Sequence, residues 1–307
     1  MRTTSLTPGG RLKLMTTENV VTTMGSDKSP PMEPSRLLEI EHLTQIFQPS
    51  PKKPPFVALK DVSMTIPGGE FVSIVGPTGC GKSTTLSAIS GLRLPTQGQV
   101  RIGGDVVRGV RRDVGFVFQQ DALLPWRTAL ENVELALKFR HVPRAEVRDR
   151  AREWLTRVGL GRFESSYPHQ LSGGMRKRTA IAATLVYEPS VLLMDEPFSS
   201  LDVQTRNLME NDLLHVWENV GHQTVVFVTH DLEEAIGLSD RVIVLTAGPG
   251  QVLGDYKVDL PRPRNLLDVK LDPAFVELYR KIWADLEVEV LKANEKNAFT
   301  SIAGHKP

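Results

Sequence analysis

The sequence predicts an α/β fold whose core is a mainly parallel β-sheet. Residues 71–75 form an apolar, strand-like run that ends in a glycine-rich turn, and residues 83–92 continue with helix-compatible spacing. Further short apolar runs lie at residues 114–118, 191–194, 224–228 and 241–245. They are mostly separated by helical patterns, which is typical of repeated strand–helix–strand units and hence of a parallel sheet.

Two additions to this core are predicted from the segments around it. Residues 37–43 alternate between apolar and polar side chains and lead into a Pro/Lys-rich loop at 48–55, which indicates an N-terminal antiparallel β layer. The long stretch 121–170 carries apolar residues at helical spacing after Pro143, a favourable first residue of a helix. We therefore expect an inserted helical subdomain there.

The end of the chain predicts a strand, a proline-rich turn and one helix, which is too little for an independent domain. The helix should begin after Asp272 as cap, with Pro273 at its first position. Its apolar face either packs on the core, the more ordinary outcome, or docks a partner. These patterns divide the chain into a core domain at 37–250 and an extension at 251–307.

The first 36 residues are rich in Thr, Ser, Pro and Gly and lack the continuous apolar run of a secretory signal. We expect a disordered tail there. It is either a solvated extension, or the product of a start codon upstream of the true one with Met32 as the alternative, or a segment with a targeting or regulatory role.

The composition of the chain bears on three questions: nucleic-acid binding, the redox compartment and insertion into a membrane. The 307 residues carry a formal net charge of +1, so nucleic acid, which usually requires a clustered basic excess, is not an expected partner. The single cysteine, Cys80, cannot form an internal disulfide and fits a reducing compartment. No apolar run approaches the roughly 18 to 20 residues that cross a bilayer, so any membrane role should be peripheral.

The glycine-rich turn fits the phosphate-binding pattern G-x-x-x-x-G-K-[ST]. Its residues are Gly76, Pro77, Thr78, Gly79, Cys80, Gly81, Lys82 and Ser83, followed by Thr84. In such a loop the backbone N–H groups surround a phosphate, Lys82 neutralises its oxygens, and Ser83 can ligate Mg²⁺. The bare pattern also occurs in plain strand–turn–helix segments, so the other motifs decide its meaning.

Two adjacent carboxylates, Asp195 and Glu196, follow the apolar run 191–194, at the strand end where α/β sheets bind ligands. Asp195 suits the coordination shell of Mg²⁺, and Glu196 can accept a proton from an attacking water. An isolated pair of this kind is more often a helix N-terminal charge. The upstream phosphate loop favours the catalytic interpretation.

A second anion-binding motif is formed by Ser172, Gly173 and Gly174, which lie at the predicted start of a helix. The ordinary interpretation of Ser172 is a helix N-cap. Because the chain has one phosphate loop, this motif has no phosphate to hold unless another subunit presents one.

In their order along the chain, these motifs resemble those of the nucleotide-binding subunit of an ABC transporter. The resemblance covers about residues 37–290 and includes the phosphate loop, Gln119, the LSGG signature at 171–174, the Asp195–Glu196 pair, the turn that ends at Asp202, and His230. It implies a P-loop NTPase (RecA-like) core that binds ATP and Mg²⁺. Given this alignment, Glu196 acts as general base and Lys82 holds the phosphates.

Further roles are carried by the same resemblance. Phe47 stacks on adenine, although an aromatic residue in a strand is more often part of the core. Gln119 contacts Mg²⁺ or the attacking water and moves with the membrane partner. His230 contacts the γ-phosphate, although a lone histidine after a strand is more often a surface or capping side chain. Asp202, the last residue of the turn at 199–202, is also expected to be one of the nucleotide-binding residues.

The resemblance also implies partners. Ser172, Gly173 and Gly174 would hold the γ-phosphate of a second ATPase subunit, arranged head to tail with the first. Residues 123–127, 259–264 and 282–283 are similar to the nitrate, sulfonate, taurine and bicarbonate importers, which implies separate transmembrane permease subunits and, indirectly, an extracytoplasmic solute-binding protein. The expected location is peripheral, on the cytoplasmic face of the cell membrane. The solute is not encoded in this chain.

Two alternatives share the phosphate loop. A soluble ABC-type ATPase acting on DNA or ribosomes usually has two cassettes, a coiled-coil arm or a zinc insertion, and this chain has one cassette, no heptad run and one cysteine. A P-loop kinase or GTPase would not need the LSGG motif.

A few positions depart from the family pattern. Met175 and Lys177 stand where Gln is common, and Thr78 stands where Ser is usual. None of these changes removes a phosphate ligand or the base. Cys80 lies beside Lys82 near a helix N-terminus, which predicts a lowered thiol pKa and reactivity toward alkylation. The alternative is an inert small residue that fills the loop.

Overall fold

A computed structural model describes residues 36–48, 50, 54–220 and 223–303. The predicted tail lies outside these residues except for Arg36. The strands are β1 (Leu38–Phe47), β2 (Phe56–Ile66), β3 (Phe71–Val75), β4 (Gln97–Ile102), β5 (Asp105–Val106), β6 (Val114–Val117), β7 (Val191–Asp195), β8 (Thr224–Val228), β9 (Arg241–Leu245) and β10 (Val252–Lys257). The α-helices are α1 (Lys82–Ile89), α2 (Ala129–Lys138), α3 (Arg144–Arg157), α4 (Gly173–Leu185), α5 (Val203–Val220), α6 (Leu232–Leu238), α7 (Leu266–Val269) and α8 (Pro273–Ala303).

The central sheet confirms the predicted α/β fold. Its strand order is β10-β9-β3-β8-β7-β6, and β9, β3, β8, β7 and β6 pair in parallel. All residues of β3 and β8 are buried, which explains why these segments read as continuous apolar runs rather than as alternating ones. The phosphate loop leaves β3 near the middle of this sheet, and Asp195 ends β7 two strands away.

The N-terminal layer is the antiparallel sheet that the alternating pattern predicts. Its strand order is β2-β1-β4-β5, with β1 antiparallel to both β2 and β4. Its inward residues share one buried cluster with α1 and the central sheet, as shown by Ile40, Leu86 and Ile74. This packing fixes β1 and β2 beside the phosphate loop.

The stretch 121–170 contains α3, which the apolar spacing after Pro143 predicts, and also α2. Helix α3 begins one residue later than predicted, at Arg144, with Pro143 as its cap residue. The two helices pack on each other and on α4, which begins after the stretch. All three helices contribute to one buried cluster, with Val133 from α2, Leu155 from α3 and Ile181 from α4.

The helix predicted at 83–92 ends earlier than expected, at Ile89. Gly91 takes a φ of 73°, and a Cβ there would lie 2.0 Å from the carbonyl oxygen of Gly109. The chain therefore turns sharply at a position that only glycine fits, and the helix cannot continue.

The C-terminal elements join the core. Strand β10 adds antiparallel to β9 at the edge of the central sheet. Helix α8 starts at Pro273 as predicted, and Asp272 Oδ1 accepts a hydrogen bond from Ala274 N at 2.8 Å. Phe275 and Ile282 are buried in a cluster with residues of β9 and α6, so the apolar face of α8 packs on the core. Among the described residues, no helix is long and apolar enough to span a membrane.

Candidate active site

The phosphate loop connects β3 to α1 through two glycines with left-handed backbones. Gly79 has a φ of 83° and Gly81 a φ of 103°, conformations that side chains rarely tolerate. A Cβ at Gly81 would lie 2.4 Å from Leu59 Cδ2. Loop closure is held by a hydrogen bond from Cys80 N to Pro77 O at 3.2 Å. The sequence pattern thus corresponds to a curved backbone at the start of a helix, which favours anions.

Lys82 places a positive charge within this curve. It is 6% exposed, and its Nζ donates to Gly76 O at 2.8 Å and to Pro77 O at 3.3 Å. The ammonium group is therefore held against the loop by the loop's own carbonyl groups, at the position from which a lysine neutralises phosphate oxygens.

Ser83 and Asp195 come together although they are far apart in sequence. Ser83 Oγ donates to Asp195 Oδ1 at 2.9 Å. Burial raises the pKa of Asp195, the bond from Ser83 lowers it, and the neighbouring Glu196 raises it. A hydroxyl and a partly buried carboxylate at this distance are the oxygen ligands that Mg²⁺ takes in nucleotide sites, so the pair fits that ion. Gln119 does not join them, because its Nε2 donates to Ser199 Oγ at 3.2 Å.

Glu196 and His230 form the second pair of the site. His230 Nδ1 lies 3.0 Å from Glu196 Oε2. Glu196 has a φ of 43°, which is uncommon for a residue with a side chain, and its N donates to Val228 O at 2.9 Å. The neighbouring strand thus holds a strained backbone that presents the carboxylate to the histidine.

A cavity of about 360 Å³ joins these groups. Its lining residues are Phe47, Phe56, Ala58, Thr78, Gly79, Gly81, Lys82, Ser83, Thr84 and Glu196. Phe47 and Phe56 pair across β1 and β2 and stack with ring centroids 5.3 Å apart, and the Arg93 guanidinium lies 4.6 Å from the centroid of Phe47. Phe56 could not be predicted from the sequence, because its position opposite Phe47 depends on the register of β1 and β2.

The LSGG segment is not among the residues that line this cavity. Ser172 caps α4, its Oγ accepting from Met175 N at 3.2 Å. A Cβ at Gly174 would lie 2.9 Å from Thr205 Cγ2, which places the start of α4 beside the start of α5. Asp202 caps α5, its Oδ1 accepting from Thr205 N at 3.0 Å. Within this chain, both residues therefore lie outside the pocket that holds Lys82.

Comparison with known proteins agrees with this geometry. A sequence model described as "ABC transporter" matches residues 59–199. An uncharacterised ABC transporter ATP-binding protein of Methanocaldococcus jannaschii is 45% identical over 83% of this chain and 93% of that protein. The chain belongs to the ABC transporter ATP-binding family.

Nitrate and bicarbonate import ATP-binding proteins are among the relatives of this ABC protein. The nitrate import ATP-binding protein NrtD of Synechocystis sp. is 40% identical over 87% of this chain and 99% of its own length. A solved dimeric cassette in a post-hydrolysis state, bound to ADP and Pi, is 38% identical, with a TM-score of 0.65 over 73% of this chain and 100% of that one. The ABC protein is thus an ATP-binding subunit of a family that couples ATP hydrolysis to transport.

The expected reactivity of Cys80 in this ABC protein is wrong. The residue is fully buried and its Sγ lies against Gly76, where a Cβ would come within 2.7 Å of it. Burial raises the pKa of the thiol more than the charge of Lys82 lowers it. The side chain therefore fills the back of the loop as a small apolar group.

Lys177, noted in the sequence only as a departure from the family pattern, makes structural contacts of its own. Its side chain is 1% exposed, and its Nζ lies 2.9 Å from Asp121 Oδ1. The same Nζ donates to Phe118 O at 3.2 Å and to Gln119 O at 2.9 Å. Lys177 thus connects α4 to the segment that carries Gln119.

Proposed function

We propose that this chain hydrolyses Mg-ATP in a head-to-tail pair of ATPase subunits and so drives import of a small anion, similar to nitrate, sulfonate or taurine, or of a related solute, through separate membrane subunits. The observation that carries the proposal is the division of the motifs. Lys82, Ser83 and Glu196 line one cavity, and Asp195 and His230 are bonded to the latter two. Ser172 of the same chain is not among the residues that line this cavity. A second copy, with its Ser172 facing this cavity, would complete the site.

The chain's own residues divide the chemistry among them. Lys82 and the loop N–H groups hold the phosphates, and Glu196, oriented by His230, takes the proton of the attacking water. Ser83 and Asp195 are the residues that would hold Mg²⁺, with Gln119 reaching them after its bond to Ser199 opens. The ion would supply charge neutralisation at the phosphates. Phe47 supports the adenine by stacking.

The remaining expectations belong to the same proposal. Residues 37–250 form the ATPase domain with its helical subdomain at about 121–170, and residues 251–307 form the extension. The protein sits on the cytoplasmic face of the cell membrane beside permease subunits, which receive solute from an extracytoplasmic binding protein. The names of the nitrate and bicarbonate import relatives support a small anion as solute.

A deletion strain tests the proposal. Uptake of labelled nitrate, bicarbonate and taurine should be measured in the strain, and in the strain carrying wild-type or Glu196→Gln protein at equal levels. We expect one uptake activity to be lost, restored by wild type and not by the variant. Unchanged uptake of all three solutes, together with a defect in ribosome assembly or DNA repair, would favour the soluble alternative.

A further inference from the structure

Two buried glutamates lie behind the His230 segment. Glu210 on α5 is 1% exposed and Glu234 on α6 is 6% exposed, and their carboxyl groups interact. Glu210 Oε2 and Glu234 Oε1 have no hydrogen-bond partner within the described part of the chain. Two neighbouring carboxylates in a protein interior cannot both be ionised without strong repulsion and loss of solvation. The pair therefore has a lower free energy when it keeps one proton.

This pair is connected to the residues on both sides of His230. Thr229 Oγ1 donates a hydrogen bond to Glu234 Oε2, and Asp231 N donates to Thr229 Oγ1 at 3.0 Å. His230 lies between them and meets Glu196 at 3.0 Å. Any movement of the Glu234 carboxyl is therefore transmitted to the backbone that presents the histidine.

The surrounding charged groups come from every element packed on the pair. On the α5 side, Arg206 Nη1 lies 3.5 Å from Asp231 Oδ2. Lys270, after α7, pairs with Glu233 on α6 at 3.0 Å. Tyr279 on α8 interacts electrostatically with Glu233 and Asp231. Because Arg206 and Lys270 are already paired with other carboxylates, their positive charges offset the negative charge of the buried pair only in part.

We propose that Glu210 and Glu234 share one proton and that the singly charged pair positions His230 for ATP hydrolysis. Loss of this proton to water leaves two interior carboxylates, whose repulsion displaces the Glu234 carboxylate and, through their hydrogen bond, Thr229. Burial is the main cause that raises the pKa of Glu210 to about 7 and that of Glu234 to about 8. The shared proton is thus held near neutral pH and lost in mildly alkaline solution. The inference rests on the role proposed for His230.

The test is the pH dependence of ATP turnover. In wild type, kcat should fall as the pH rises through about 8, the value to which Glu234 is raised. Glu210→Gln limits the pair to one charge at any pH, so this fall should be absent in the variant. Glu234→Ala removes the anchor of Thr229 and should lower kcat on the order of 10- to 100-fold with little change in KM. Glu234→Gln keeps an acceptor for Thr229 and should restore most of the loss.

The matched control is Glu233→Gln, a half-exposed carboxylate on the same helix, which should leave the alkaline fall in place. A second readout does not depend on activity. The raised pKa values mean that the pair destabilises the fold progressively as the pH rises above 4.5 toward about 8. The melting temperature of Glu210→Gln should therefore exceed that of wild type by a margin that grows with pH.

Three outcomes separate the possibilities. Superimposable pH profiles and melting curves of Glu210→Gln and wild type would overturn the shared proton. A Glu234→Ala variant with wild-type kcat would overturn the positioning role. If His230→Ala hydrolyses ATP at the wild-type rate while the melting curves still separate with pH, then the role proposed for His230 is wrong and the shared proton stands.

Discussion

Replacing Lys177 with alanine should destabilise the protein and slow ATP hydrolysis. The side chain is 1% exposed, and its ammonium is 3.2 Å or less from one carboxylate and two backbone carbonyls. Breaking a buried ion pair on one side costs about 3–5 kcal/mol. Asp121 is 23% exposed and keeps a contact with Arg176 at 3.2 Å, which reduces this figure. We therefore expect a loss of about 2–3 kcal/mol in the free energy of unfolding.

Thermal unfolding and ATPase assays measure the two effects. For a domain of this size, that loss corresponds to a decrease of roughly 4–12 °C in melting temperature. kcat should fall as well, because the backbone carbonyl of Gln119 loses its anchor. Lys257→Ala is the control, since Lys257 and its partner Asp259 are 77% and 74% exposed, and it should change stability by less than about 0.5 kcal/mol. If the two variants unfold at the same temperature, the buried contacts of Lys177 do not stabilise the fold to this extent.

Three further variants or modifications test the nucleotide site. Lys82→Ala should abolish ATP binding in a calorimetric titration because it removes the cation of the phosphate loop, and unchanged affinity would contradict that role. Phe56→Ala should raise the KM for ATP several-fold by removing one wall of the aromatic pair, with Phe163→Ala, a half-exposed ring outside the pocket, as control. Cys80 should react with iodoacetamide at pH 8 at least about tenfold more slowly in the native protein than in urea, because its thiol is buried and its pKa is raised; equal rates would refute this.

Local patterns predicted the scaffold of the site well. Strands β3, β8 and β9 have the predicted bounds, because runs buried on both faces are recognisable from apolarity alone. The phosphate loop was equally readable, since glycines with left-handed backbones at Gly79 and Gly81 are a local requirement.

What the sequence could not provide depends on distant contacts. Phe56 faces Phe47 only through the register of β1 and β2. Lys177 contacts Asp121 although α2 and α3 separate the two residues along the chain, and the sequence marks Lys177 only as an unusual residue. For Cys80 the sequence led to a wrong prediction, because its position next to Lys82 suggested a lowered thiol pKa. Burial in the core instead raises that pKa. Burial of this kind is not visible in the spacing of motifs.

The most direct test of the shared site is the association state of Glu196→Gln. This variant keeps the shape of the side chain and its hydrogen-bonding ability but cannot take a proton, so hydrolysis should slow on the order of 10² to 10⁴. Bound ATP would then persist between Lys82 of one subunit and Ser172 of the other. Size-exclusion chromatography with light scattering should show a dimer in Mg-ATP and a monomer in Mg-ADP.

Adding Ser172→Arg to Glu196→Gln should abolish this dimer, because bulk and charge would enter the LSGG motif of the opposing subunit. If the site is shared, Glu196→Gln is inactive and dimeric in Mg-ATP, and it becomes monomeric when Ser172→Arg is added. An inactive Glu196→Gln that stays monomeric in Mg-ATP would contradict the shared site, and one that hydrolyses ATP near the wild-type rate would exclude Glu196 as the base.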